Sequence, residues 1–261
     1  MKVHDYTIYD IIRRNVLLYP NRDCIIFNDI RLSHRDFKER CDRLAAGLVK
    51  LGIATGDRLG IVAHNSDEYM IIYGAAAKIG AIVLPVNCRF QPEEMEYVLN
   101  DGSPRLVFAG PEFLSTVSAL AEKIETIEAC FTIGGGAAPE GFQRLEDLYI
   151  DAGSAEEFEI SGDSGFVIIH TAAVAGRPRG ALLSQHNITA INLGMILQFG
   201  LNSEDCHISH LPLFHIAGLS VSAAVMHAGG ANVICPTFDP ESTLRLIEKE
   251  KGTLFLTFPR F

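Results

Sequence analysis

Between residues 58 and 133 the chain repeats one pattern: a short run of β-branched and other apolar residues, then a longer stretch with helical spacing. The pattern predicts strands over 58–63, 81–86, 105–109 and 129–133, with helices over 66–78, 92–100 and 112–124. Strand runs that stay apolar on both sides are buried on both faces. An α/β fold follows, with mostly parallel sheets covered by helices on both faces. Upstream, Ile8, Ile11 and Ile12 give helical spacing over 7–18. Ser33 followed by Asp36 marks a helix start ahead of Phe37, Cys41, Leu44 and Leu48, a helix that ends near Gly52.

The alternation breaks at the Gly-rich stretch 134–141 and the acidic stretch DAGSAEEFEISGDSG, neither of which has an apolar period. A boundary is expected there, between two similar subdomains over 1–160 and 161–261. Beyond it strands are expected over 166–170, 207–211, 231–235 and 254–258. Helices are expected over 184–199, 219–227 and 240–249, the last capped by Asp239 with Pro240 in its first turn. The chain stops at TLFLTFPRF directly after an expected strand. Doubly wound sheets finish with a covering element, so a chain that continues further is the expectation.

With 48% hydrophobic residues, 261 positions suffice for a sizeable core. A net charge of -10 argues against a nucleic-acid partner, which needs concentrated positive charge, so any bound anion must be held locally. Six cysteines without a CxxC pair read as reduced, mostly buried thiols. The start MKVHDYTIYD lacks a signal-peptide pattern. The most apolar windows are interrupted by Lys78 and Gly80, and by His227, Gly229 and Gly230. No transmembrane segment is expected, and a cytoplasmic protein is the default.

HTAAVAGRPRGALLS, residues 170–184, sits between an expected strand and an expected helix, where backbone N–H groups and a helix dipole can face an anion. Gly176 and Gly180 permit a tight path, Pro178 stiffens it, and Arg177 and Arg179 supply charge. The spacing is not that of GxxxxGK[ST], and from composition alone a plain strand-to-helix loop with solvated arginines is the commoner reading.

These residues resemble the first signature of the adenylate-forming enzymes, the family of acyl-CoA synthetases, peptide-synthetase adenylation domains and luciferases. That signature reads roughly Thr-Ser-Gly-Thr-Thr-Gly-x-Pro-Lys-Gly, then Ser or Thr and His. Thr171, Gly176, Pro178 and Gly180 keep it and Arg179 takes the lysine's place. Ala172, Ala173, Val174 and Ala175 depart from it, and Gln185 holds the histidine's position with His186 one place later. The segment from LVKLGIATGDR through NSDE and GAIVLPVN to PRLVF also looks like the family's amino-terminal region, and LPLFHIAGL resembles its next motif.

The resemblance implies an ATP-dependent carboxylate–CoA ligase, most like an acyl-CoA synthetase. An acid is activated as an acyl adenylate and then passed to coenzyme A, with Mg2+ bound alongside the nucleotide. It implies nucleotide phosphate contacts at Thr171, Gly176, Arg179 and Gly180, and an acyl pocket at His215, with Gly218 giving space at its wall. A homodimer is left open. The family's later elements, a Tyr-Gly-x-Thr-Glu stretch, a ribose-binding aspartate and a lysine on a mobile carboxy-terminal domain, have no match before Phe261, so these residues alone are expected to be inactive. The alternative is a non-catalytic binding or regulatory protein on the same fold, since the alanines and valine of the loop offer only backbone donors.

Without the resemblance, a histidine between Phe214 and Ile216 reads as a core residue. His207 and His210 form HxxH, but on an expected strand the two rings face opposite sides, which disfavours a metal pair. Gly134 to Gly136 reads as a turn after a strand, without GxGxxG spacing.

Overall fold

The structure, a computed structural model, describes residues 6–151, 158–171 and 177–258. Helix α1 (Ile8–Leu18) starts at a reciprocal cap: the Thr7 hydroxyl accepts the Asp10 amide and the Asp10 carboxylate accepts the Thr7 amide. Strands β1 (Asp23–Phe27) and β2 (Ile30–Ser33) form an antiparallel hairpin through Asn28, which takes a positive φ at the turn. Ser33 and Asp36 then build the same cap on α2 (His34–Lys50).

The alternating region follows as β3 (Arg58–Val62), α3 (Asp67–Ile79), β4 (Ile82–Pro85), α4 (Pro92–Gly102), β5 (Leu106–Ala109), α5 (Leu114–Ala121), β6 (Ala129–Thr132) and the short β7 (Phe142–Arg144). With β8 (Gly165–Thr171) and β9 (Arg179–Ser184) these strands make one sheet in the order β7-β6-β5-β3-β4-β8-β9. Every neighbouring pair is parallel except β8 with β9. The chain continues through α6 (Gln185–Phe199), β10 (Cys206–Ser209), α7 (Ile216–Ala228), β11 (Ala231–Ile234) and α8 (Pro240–Glu250). A second sheet has the order β10-β11-β1-β2.

The core clusters define five layers. α4 and α5 pack with Val62, Leu84 and Val107 on one face of the larger sheet. Its other face, with Leu59, Ile61 and Val83, shares a single core with α1, α2, α3, α7 and Ile25 of the smaller sheet. Ile26, Ile208 and Val233 on the far side of the smaller sheet meet Leu246 and Ile247 of α8. Helices α3 and α7 are apolar nearly all round because they lie in the middle layer. α2 and α3 approach closely at Gly74, where a Cβ would fall 2.4 Å from the Cys41 sulfur. Phe37, Phe108 and Phe131 are fully buried, and each such side chain contributes roughly 1.5–3 kcal/mol of transfer free energy.

The expected division near residue 160 does not coincide with the sheets. β1 and β2 from the first part complete the sheet of β10 and β11, while β8 and β9 from the second part extend the sheet of β3 to β7. The shared middle layer explains this, since helices buried on all sides need a sheet above and below. Residues 254–258 were expected as a strand, yet only Leu254 bridges, to His207, because the remaining residues find no ladder. Among the described residues no helix is long and apolar enough to cross a membrane.

Candidate active-site cleft

In parallel sheets the loops at the carboxyl ends of strands gather at one edge, which is where such folds bind ligands. Here four such loops, two from each sheet, line one cleft of about 650 Å³. His64 and Asn65 follow β3, and Asn87, Cys88 and Arg89 follow β4. His210 to His215 follow β10, and Pro236 to Phe238 follow β11, with Thr257 and Phe258 also at the lining. No carboxylate lines this cleft among the described residues.

Asn65 holds the two sides together. Only 4% exposed, its Nδ2 donates to the Leu211 carbonyl (2.9 Å) and the Cys235 carbonyl (3.1 Å), and its Oδ1 accepts the Leu213 amide (2.8 Å). The Tyr73 hydroxyl donates to the Leu213 carbonyl at 3.0 Å. The loop that carries His215 is therefore fixed from α3 and from the end of β3.

His215 is exposed, lines the cleft and caps α7, its Nδ1 accepting the Ala217 amide at 3.1 Å. An accepting Nδ1 leaves the proton of a neutral ring on Nε2. Gly218 does not line the cleft. A Cβ there would lie 2.2 Å from the Pro212 oxygen and 2.7 Å from the Leu211 oxygen, so the glycine lets α7 approach the His215 loop instead of widening a pocket wall.

His210 packs between rings, with its centroid 4.6 Å from Phe255 and 5.0 Å from Phe238. Burial lowers its pKa. Cys88 Sγ lies 3.7 Å from His64 Nδ1, and burial pushes its thiol up despite the neighbouring Arg89. His207 is elsewhere, buried in β10 with Nδ1 2.9 Å from Asn232 Oδ1.

The expected phosphate loop has a different context from the one its sequence suggests. It does not run from a strand into a helix: β8 pairs antiparallel with β9, and α6 begins only after β9. Gly176 lies outside the described residues, but the flanks are clear. Thr171 pairs directly with Arg179, and His170 with Gly180. Direct cross-strand partners share a face, so the hairpin brings Thr171 and Arg179 together on one side. On the other side His170 Nε2 meets Asp101 Oδ2 at 2.9 Å, and a Cβ at Gly180 would lie 3.0 Å from the His170 ring. Gly180 thus makes room for Ile168, whose Cγ2 would lie 2.7 Å from that Cβ, and for His170. Arg177 leaves the hairpin for α4, its guanidinium 5.2 Å from the Tyr97 ring centre in a depression also lined by Glu93, Glu94 and Glu96.

Gln185 and His186 are held by structural bonds. Buried Gln185 accepts the Ile8 amide at 3.0 Å and donates to the Ala77 carbonyl at 3.3 Å, and His186 Nδ1 lies 3.1 Å from Asp163. Gly134 forms the expected turn, and its amide donates to Glu68 in the first turn of α3. Burial raises the Glu68 pKa to about 7 against the opposing effect of that bond.

A five-layered α/β domain whose two sheets aim their strand ends at one cleft, with a paired hairpin at the same edge, has the ligand-binding edge of a doubly wound fold. Residues 12–261 match the family model described as AMP-binding enzyme, and the chain belongs to that family. It is 29% identical over 251 residues to an indoleacetate–CoA ligase of Aromatoleum aromaticum, covering 95% of this chain and 49% of that protein. It is 31% identical over 274 residues to the mitochondrial medium-chain acyl-CoA ligase ACSF2 of Rattus norvegicus, covering 92% and 44%. A solved structure from Rhodopseudomonas palustris, titled as a candidate long-chain-fatty-acid CoA ligase, superposes with a TM-score of 0.93 at 39% identity, covering 98% of this chain and 64% of that one. The chain spans about half the length of the curated relatives it matches. Acyl- and aryl-CoA ligases are thus its relatives.

The sequence points to His215 through its motif, and to Asn65 only as part of the NSDE stretch. It gives no sign of Asn65's role, nor of His64, Cys88 and Arg89 as cleft residues.

Proposed function

We propose that these residues are the amino-terminal part of an AMP-forming carboxylate–CoA ligase. A carboxylate is a poor electrophile. In the proposed reaction its oxygen bonds to the α-phosphorus of ATP as the bond to the bridging oxygen breaks and pyrophosphate leaves. The thiol of coenzyme A then takes the acyl group, releasing AMP and a proton. Charge develops on the departing pyrophosphate, and fixed donors stabilise it.

The observation that carries this reading is the pairing of Thr171 with Arg179, at the end of a strand that runs parallel to β4. The hydroxyl and guanidinium thereby face one direction at the sheet edge that also carries the cleft. Arginine grips a phosphate with two parallel donors where lysine offers a point charge, which offsets the hydroxyls lost from the loop. In this reading Nε2–H of His215, a residue of the cleft lining, donates to the bound acid. Magnesium would arrive on the nucleotide; among the described residues no group of three His, Cys, Asp or Glu side chains is placed to hold a metal ion. Adenosine recognition and thioester formation fall to residues that follow Phe261 in the full-length protein, and the cytoplasm is the proposed location.

Carboxylate-dependent exchange of labelled pyrophosphate into ATP, measured on the full-length protein, tests the proposal. Exchange with any acid supports it. Folded full-length protein that exchanges with none, across fatty and aromatic acids, supports the binding-protein alternative.

A further inference from the structure

We infer that the acid held in the cleft has a flat aromatic body and is not an extended aliphatic chain; this rests on the ligase reading above and narrows its substrate class. The wall supplied by the smaller sheet is a cluster of three rings. His210 lies 28° from parallel to Phe255 and Phe238 30° from parallel to Phe255 at 6.5 Å, while His210 and Phe238, tilted 48° to each other at 5.0 Å, both reach the cleft. Phe238 is 53% exposed, a large apolar ring that lines the cleft and packs on His210 and Phe255. Phe214 and Phe258 add two further rings to the lining.

The wall supplied by the larger sheet carries the groups that pack well on a π face. Arg89 brings a planar guanidinium to the lining, Cys88 offers a polarizable sulfur, and the His64 ring is braced by Phe113 at 5.3 Å. A planar cation, a sulfur and an imidazole all interact favourably with aromatic rings. An alkyl chain gains nothing specific from them and leaves polar groups facing methylenes. Among the described residues the aliphatic lining is Leu211, Ala217 and the ring faces of Pro212 and Pro236, with Leu213 and Leu219 turned into the middle-layer core.

The test uses the full-length protein with matched acids, phenylacetate and indoleacetate against octanoate and decanoate. It reads pyrophosphate exchange and, without ATP, direct binding by calorimetry. The aromatic acids are expected to exceed the linear ones in kcat/KM by about tenfold or more. F238L keeps an apolar side chain of similar bulk and is expected to lose about tenfold with aromatic acids and little with linear ones. R89K, which keeps the charge and removes the planar group, should raise the aromatic KM and leave the linear KM unchanged. Preference for linear acids, or equal losses in F238L with both classes, would overturn the inference while leaving the ligase reading intact. Tighter aromatic binding without exchange would keep the inference and sink the ligase reading.

Discussion

Replacing Asn65 by alanine removes three hydrogen bonds at once and leaves the Leu211 carbonyl, the Cys235 carbonyl and the Leu213 amide without those partners. With a side chain 4% exposed, water replaces them poorly. At a net value of about 1 kcal/mol for each bond, and more where a buried group stays unpaired, the loss should be roughly 2–4 kcal/mol. Urea unfolding of Asn65→Ala against the parent measures it, with the slope checked for constancy. Asn65→Asp sharpens the reasoning. Its carboxylate still accepts the Leu213 amide, but it turns an acceptor toward two carbonyls and should be at least as harmful at neutral pH. Burial and those carbonyls raise its folded pKa, so its stability is greatest below the unfolded value and falls as pH rises through the folded one. A loss below about 0.5 kcal/mol for Asn65→Ala would refute the claim that this residue bolts the His215 loop to β3.

Gly218→Ala drives a methyl into the Pro212 carbonyl and should cost about 1–3 kcal/mol in urea unfolding, with a raised KM for the acid because the His215 loop must shift. In the full-length protein Arg179→Ala is expected to lower pyrophosphate exchange roughly tenfold to a hundredfold, as loss of a charged hydrogen bond does. Arg177→Ala should change exchange little, since that side chain is committed to Tyr97, and equal losses would remove the assignment of Arg179 to phosphate. Glu68, with a pKa raised to about 7, favours the folded state most below pH 4.5, and that contribution fades as pH rises through about 7. Unfolding between pH 5 and 8 should therefore show a smaller pH dependence in Glu68→Gln, whose amide oxygen can still accept the Gly134 amide.

Much of the larger sheet was legible because parallel strands buried on both faces leave continuous apolar runs, as in Leu59 to Val62 or Leu106 to Ala109. Helix starts at Ser33 and Asp239 were legible for the same local reason, since a cap is written within four residues. The strands that escaped are those whose partners decide them. β9 is mostly exposed and holds a glycine, and β2 buries only Leu32, so neither carries an apolar signature. Apolar β1 is just five residues long and finds its parallel partner β11 some two hundred positions on. Asn65 reaches partners 146, 148 and 170 residues away, a distance no motif encodes. His215 was expected in the cleft lining from its motif, whereas the place of Gly218 needed the carbonyls it approaches.

The hairpin changes where the proposed phosphate site would draw its positive charge. A loop placed at a helix start borrows the helix dipole, but that field fades within the first turn. Here the six residues of β9, roughly 20 Å of extended chain, separate the loop from α6. Arg177 is drawn to Tyr97 beside three glutamates, and His170 is bonded to Asp101. Among the described residues of the hairpin, Arg179 alone supplies a cation on the Thr171 face. A lysine there would offer one charge without a fork to span two phosphate oxygens, so the arginine is what makes a loop poor in hydroxyls consistent with phosphate binding.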